Sequence, residues 1–137
     1  MDAIFQSFLA GFPVLMAHSG TAFLILIIGV RLYMMATPHD ELALIRAGNT
    51  AAAVSLGGAI IGFALPIAFV LASSVSILDI VLWGIVTLVL QLVAFFVVDR
   101  VMKNISARIE GGDMASAILL LSVKITTAAI NAAAVAG

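Results

Sequence analysis

Thr37-Pro38-His39-Asp40-Glu41-Leu42-Ala43-Leu44-Ile45-Arg46-Ala47-Gly48-Asn49-Thr50-Ala51-Ala52-Ala53 is the most polar run between two long apolar ones. Thr37 suits the N-cap of a short helix, and Pro38 suits its first position, where the missing N–H would have had no partner. Asp40 follows the cap at the capping-box spacing, with Asp in place of Glu or Gln. Gly48 fits a left-handed helix exit, and Asn49 caps the next helix. Adjacent Asp40 and Glu41 point to different sides of the helix and read as caps and neighbours of Arg46. The stretch is a helix stop, a short surface helix and a helix start, turning the chain at a membrane face.

The flanking runs say which solvent that face borders. The 137 residues are 64% hydrophobic and 9% charged, against roughly one quarter charged in soluble domains. One small domain cannot hide so much apolar side chain in its own core, so the surroundings are lipid. A net charge of −1 gives no reason to expect nucleic acid. There is no cysteine, which removes disulfides and thiolate sites, and His18 and His39 are the only histidines. No metal site or cofactor is expected. The N-terminus, Met1-Asp2, lacks a basic region, and its apolar run passes any cleavage site, so it does not read as a signal peptide.

Four spans follow, at about residues 14–36, 49–72, 78–98 and 114–135. Before them, Phe5, Phe8, Leu9 and Phe12 share one helical face. That amphipathic segment either lies in the interface or extends the first span, with a break near Pro13. Residues 23–30 are continuously apolar and must be buried. His18 reads as an interfacial residue, as do Arg31 and Tyr33 at the other end. In the second span, Ala51, Ser55, Gly58 and Gly62 form a small-residue packing face that Pro66 continues. The Pro66 ring frees the carbonyl of Gly62. Residues 73–76 make a short turn without Lys or Arg, and Ser76 with Asp79 repeats the capping spacing. Trp83 fits an aromatic belt. Gln91, near the centre of the third span, needs a partner across the bundle.

Residues 99–113 form a second polar connection, carrying Arg100, Lys103 and Arg108 on a solvated face. Ile45-Arg46-Ala47-Gly48-Asn49-Thr50-Ala51-Ala52-Ala53-Val54 parallels Ile109-Glu110-Gly111-Gly112-Asp113-Met114-Ala115-Ser116-Ala117-Ile118. Ile, Gly, Ala and Ala recur at one spacing, with Asn against Asp at the cap. The expected fold is an all-α membrane protein of four transmembrane helices. They form two parallel two-helix repeats, about 14–72 and 78–136, within one polytopic domain spanning 1–137. The amphipathic N-terminal segment and the short cytoplasmic helix complete it. Arg31, Arg46, Arg100, Lys103 and Arg108 all lie in or beside the two connections. The positive-inside rule therefore makes the connections cytoplasmic and both termini periplasmic.

The run Thr37, Pro38, His39, Asp40, Glu41 through Arg46, Gly48 and Asn49, followed by Ala-Ala-Ala-Val-Ser-Leu-Gly-Gly-Ala, resembles the signature of the domain of unknown function 350 family, the YjfL-like bacterial inner-membrane proteins. Length and hydrophobic layout extend the resemblance over the whole chain. It implies a cytoplasmic-membrane protein of uncharacterised biochemistry, discussed beside envelope-stress factors of the phage-shock kind. Ile130-Asn131-Ala132-Ala133 is family-like, whereas Lys124 stands where the family has a small residue.

Lys124 is about ten residues into its helix, roughly 15 Å along the axis. That places it near the bilayer midplane, too deep to snorkel easily, with no Asp or Glu of the chain at matching depth. A charge there costs on the order of 3 kcal/mol on insertion scales. It is neutral, faces a wet cavity with Gln91 and the Gly62 carbonyl, or meets an anion from a partner. Thr127 and Asn131 share its face, and Ser122 and Thr126 form a second pair one position round. Lys124, Thr127, Asn131 and Gln91 thus outline either an ion path or a set of interhelical hydrogen bonds. No nucleophile–base pair, phosphate loop or paired catalytic carboxylates can be assembled, so an enzyme is not expected. The first functional reading is an assembly or scaffold component, forming a homo-oligomer in the bilayer. Its basic connections would dock a peripheral protein or anionic lipid. The alternative is a small oligomeric channel or transporter with Lys124 in its pathway.

Overall fold

A computed structural model describes residues 1–73 and 76–136. The helices are α1 (Asp2–Ala36), α2 (Glu41–Arg46), α3 (Thr50–Ser73), α4 (Ile77–Met102), α5 (Ile105–Glu110) and α6 (Met114–Ala136). Among the described residues there is no strand. α1, α3, α4 and α6 are long and apolar enough to cross a membrane. Ser74 and Val75, in the short turn read from the sequence, lie outside the described residues. At its edge Ser76 caps α4, accepting from the Asp79 N–H at 3.4 Å.

The polar stretch folds with one correction. Thr37 does not cap α2; it ends α1 in extended geometry, with ψ 145°. A residue before proline is steered out of the helical region, which removes Thr37 from any helix start. Its hydroxyl turns back to the Met34 carbonyl at 3.1 Å. Asp40 is the cap instead, its Oδ1 accepting from the Ala43 N–H at 3.1 Å. Gly48 then leaves the helix at φ +88°. Asn49 caps the next helix, Oδ1 accepting from the Ala52 N–H at 3.0 Å.

The second connection also holds a helix of its own, α5. Lys103 and Asn104 take positive φ to separate it from α4. Asp99 Oδ1 receives the Ile105 N–H at 3.0 Å. The outward charges of α5 are balanced by Ile105 and Ile109, both fully buried. Its exit matches that of α2: Gly112 has φ +83°. The Gly112 and Asp113 N–H groups donate to Ile109 and Arg108, as those of Gly48 and Asn49 donate to Ile45 and Leu44, all at 2.9 Å. Asn49 Nδ2 joins the two turns, donating to the carbonyls of Ile109 (2.8 Å) and Glu110 (3.1 Å). Both connections therefore sit at one end of the bundle.

α3 and α4 each pack against both α1 and α6, and α3 lies closest to α6. Small residues make that approach possible. A Cβ on Gly58 would come within 3.1 Å of the Leu121 Cα. Ala51, Ser55, Gly58, Gly62 and Pro66 are all buried on α3. Tyr33, Phe63 and Phe95 fill the centre, with Tyr33 edge-on to both phenylalanines at centroid distances of 6.4 and 6.1 Å.

α1 continues unbroken through Pro13, so residues 3–12 extend this helix rather than forming a separate segment. A proline removes one hydrogen bond, a loss that long membrane helices tolerate. At 35 residues α1 is about 52 Å long. Residues 23–30 are not buried by protein throughout: Phe23 is 65% exposed, and Leu24, Ile27 and Ile28 also face outward. Lipid tails are as apolar as leucine, so such side chains need no protein cover.

Candidate functional site

The buried seam of α6 runs through Ser116, Leu120, Lys124, Ala128 and Asn131. Lys124 is fully buried. Helical side chains lean toward the helix N-terminus, which here carries the ammonium toward the connections. Nζ donates to the Ser55 carbonyl at 2.9 Å and to Ser55 Oγ at 3.2 Å. It also sits 4.6 Å from the centroid of the Tyr33 ring. Ser55 is only about 8 Å into α3 by helical rise. The expectation that Lys124 is stranded at mid-membrane therefore does not hold; its charge rises well toward the connection end.

Among the described residues no carboxylate stands within ion-pair distance of Lys124. Glu41 is 1% exposed. As the first residue of α2 after the Asp40 cap, it turns inward beneath that helix instead of reaching Arg46, which is exposed. Glu41 Oε1 receives the Thr37 hydroxyl at 3.5 Å and lies 3.3 Å from His39 Nε2. The latter is an ion-pair distance without hydrogen-bond geometry. His39 Nδ1 meets Ser106 Oγ of α5 at 3.0 Å, and its ring leans on Phe95. The result is a closed acid–base cluster of Tyr33, His39, Glu41 and Lys124, built from α1, α2, α6 and the α1–α2 link. Tyr33 OH, Glu41 Oε2 and His39 Nε2 are buried polar atoms without a hydrogen-bond partner among the described residues.

Gln91 joins the cluster from α4. Its Nε2 donates to the Lys124 carbonyl at 3.1 Å and to the Gly62 carbonyl at 3.4 Å. The Gly62 carbonyl is the one that Pro66 releases from helix bonding. Asn131 stands two turns further from the connections, about 10 Å beyond Lys124, and donates to Thr87 Oγ1 at 3.1 Å. Thr127 is half-buried and returns its hydroxyl to its own helix, at the Val123 carbonyl. Of the four polar residues read as one path, Lys124 and Gln91 meet, Asn131 makes a separate clamp, and Thr127 joins neither. Ser122 and Thr126 are exposed, not part of an inward stripe. At 3.6 residues per turn, positions two away from Lys124 lie about 200° round the helix.

Sequence reasoning missed Tyr33, His39 and Glu41 as members of the site. One signal was available: Gly29 and Tyr33, four residues apart, mark the buried seam of α1. The described residues contain no group of three or more His, Cys, Asp or Glu able to hold a metal ion.

Four membrane-length helices, two short capping helices at one end and a sealed acid–base cluster beneath them define a multi-pass α-helical membrane protein. The family model described as Domain of Unknown Function (DUF350) matches residues 7–135, and the chain belongs to that family. It is similar to the UPF0719 inner membrane protein YjfL of Escherichia coli strain K12 and to the protein of that name in Escherichia coli O157:H7. Each is 33% identical over 107 residues, covering 78% of this chain and 81% of the relative. The chain is accordingly a multi-pass inner-membrane protein. No solved structure matches it.

Proposed function

We propose that this chain is a non-enzymatic assembly or scaffold component of the bacterial inner membrane, acting as a homo-oligomer and linked to envelope stress. The observation that carries the reading is the closure of Lys124 within the chain. Its ammonium is held by the two oxygens of Ser55 and the face of the Tyr33 ring. An intramembrane charge so engaged works as a tie between helices rather than as the wall of an open passage. Exposed Arg46, Arg100, Lys103 and Arg108 belong to the two connections, where they dock a peripheral protein or anionic lipid. The positive-inside rule makes that end cytoplasmic and both termini periplasmic. The matched glycine exits of α2 and α5 support two parallel repeats in a single polytopic domain. The link to envelope stress comes from the family resemblance.

An oligomeric channel or transporter is the second reading. It is favoured by the three unpartnered polar atoms of Tyr33, His39 and Glu41, which lead from the connections toward Lys124. Flux of ions and protons into proteoliposomes separates the two. The scaffold reading expects none, at either sign of potential. Flux by the wild type that vanishes in Lys124→Met overturns it in favour of a conducting protein.

A further inference from the structure

A cavity of about 320 Å³ opens beside α2, with Arg31, Met35, Thr37, His39, Asp40 and Glu41 among its walls. Arg31 lies five residues before the last residue of α1, about 8 Å along the axis. It therefore faces the boundary between headgroups and acyl chains. Opposite charges share this cavity without closing on each other. Among the described residues the only ion pairs are His39–Glu41 and Arg108–Asp113, so Arg31 and Asp40 stand further than 4.0 Å apart. Glu41 and His39 also border it, but their side chains are fully buried, so Arg31 and Asp40 are the charged groups it presents.

We propose that this cavity binds the headgroup of a phosphatidylethanolamine molecule, with Arg31 on the phosphate and the carboxylate of Asp40 on the primary ammonium. The charges decide the class of ligand. The cavity presents one accessible cation, Arg31, and one accessible carboxylate, Asp40, which matches a zwitterionic headgroup better than a purely anionic one. A planar guanidinium matches phosphate oxygens by paired hydrogen bonds. A primary ammonium brings three N–H donors for carboxylate acceptors. A choline headgroup offers none and is recognised by aromatic cages instead, and the cavity has no Phe, Tyr or Trp wall. Acyl chains would run down the flank of α1 over Ile28 and Leu24, which is 56% exposed. This site lies at the α1 end of the first connection and uses none of Arg46, Arg100, Lys103 and Arg108.

The test is native mass spectrometry of the full chain released from an equal mixture of phosphatidylethanolamine, phosphatidylcholine and phosphatidylglycerol with matched acyl chains. The wild type should retain phosphatidylethanolamine several-fold over both competitors. Arg31→Ala should cut retention about tenfold, the loss of about 1.4 kcal/mol, and Arg31→Lys should restore part of it. Asp40→Asn keeps a good helix cap, so its melting temperature should hold while the preference over phosphatidylcholine falls. Equal retention of the ethanolamine and choline lipids overturns the proposal. So does a preference for phosphatidylglycerol, or a wild-type preference that survives both the Arg31→Ala and Asp40→Asn changes. A larger melting shift with soluble phosphoethanolamine than with the lipid overturns the lipid as its source.

Discussion

The ammonium of Lys124 donates to both oxygens of Ser55, the carbonyl at 2.9 Å and the hydroxyl at 3.2 Å, across the tightest helix pair of the bundle. Ser55 is neutral, and Glu41, buried under α2, is an ionisable group of the same buried region that stands further than 4.0 Å from the ammonium. Removing a buried donor leaves the acceptors that relied on it unsatisfied.

Lys124→Met leaves the Ser55 oxygens without their buried donor and should destabilise the protein by about 1–3 kcal/mol, and in a Glu41→Gln background the loss should be smaller. A double-mutant cycle in mixed micelles, followed by unfolding, measures this. Additive effects of the two changes would show that Glu41 does not answer the charge of Lys124.

Gly62→Ala should cost about 1–3 kcal/mol, the range for overpacking. Its new Cβ would stand 2.7 Å from the Gln91 amide, which now holds the carbonyls of Gly62 and Lys124. Gly57→Ala, on the same helix with open space around it, should be neutral. Equal melting temperatures for the two variants would count against close packing of α3 on Gln91.

Asp113 supplies a pH-dependent term outside the spans. The Ser116 hydroxyl donates to it at 2.7 Å. That bond, with the Ser116 and Ala115 N–H groups and nearby Arg108, holds its carboxyl below the ordinary value. A depressed carboxylate stabilises the fold above its unfolded pKa, and the contribution is lost as pH falls through the folded one. Asp113→Asn keeps a competent cap and should flatten the acid limb of a melting-temperature profile while changing little at neutral pH. An unchanged acid limb in the variant would remove Asp113 from the account.

Asn49→Ala removes both a cap and the tie to the Ile109 and Glu110 carbonyls, and should cost about 2 kcal/mol, the upper end for caps. Asn49→Ser keeps the cap and loses only the tie, so its cost should be smaller. Hydrogen exchange of the α5 amides gives a second reading: both variants should speed it. Unaltered exchange in both would show that the tie does not hold α5.

The sequence was most legible where a single local rule decides the outcome. Gly48 and Asn49 sit in the left-handed exit and cap that their residue types call for, and Pro66 frees a carbonyl that Gln91 reaches. It was less legible where two rules compete. Thr37 is a good cap by type, but Pro38 holds it extended, and the helix starts three residues later than read. That shift carries Glu41 from the surface to the interior. Tyr33 looked like a headgroup residue because depth was judged from span ends, while α2 folds over the bundle mouth and covers it. Lys124 was misplaced in depth because its long side chain climbs toward the helix N-terminus. Contacts between residues sixty or more positions apart leave no local pattern to read.

The spacing of those contacts bears on how the chain is made. Asn49 waits for acceptors sixty and sixty-one positions later, and Ser55 for an ammonium sixty-nine positions later. When the first two long helices leave the ribosome, the Ser55 oxygens have no ammonium to accept from. α6, synthesised last, brings it, so the tie between α3 and α6 closes only once the final helix has been made.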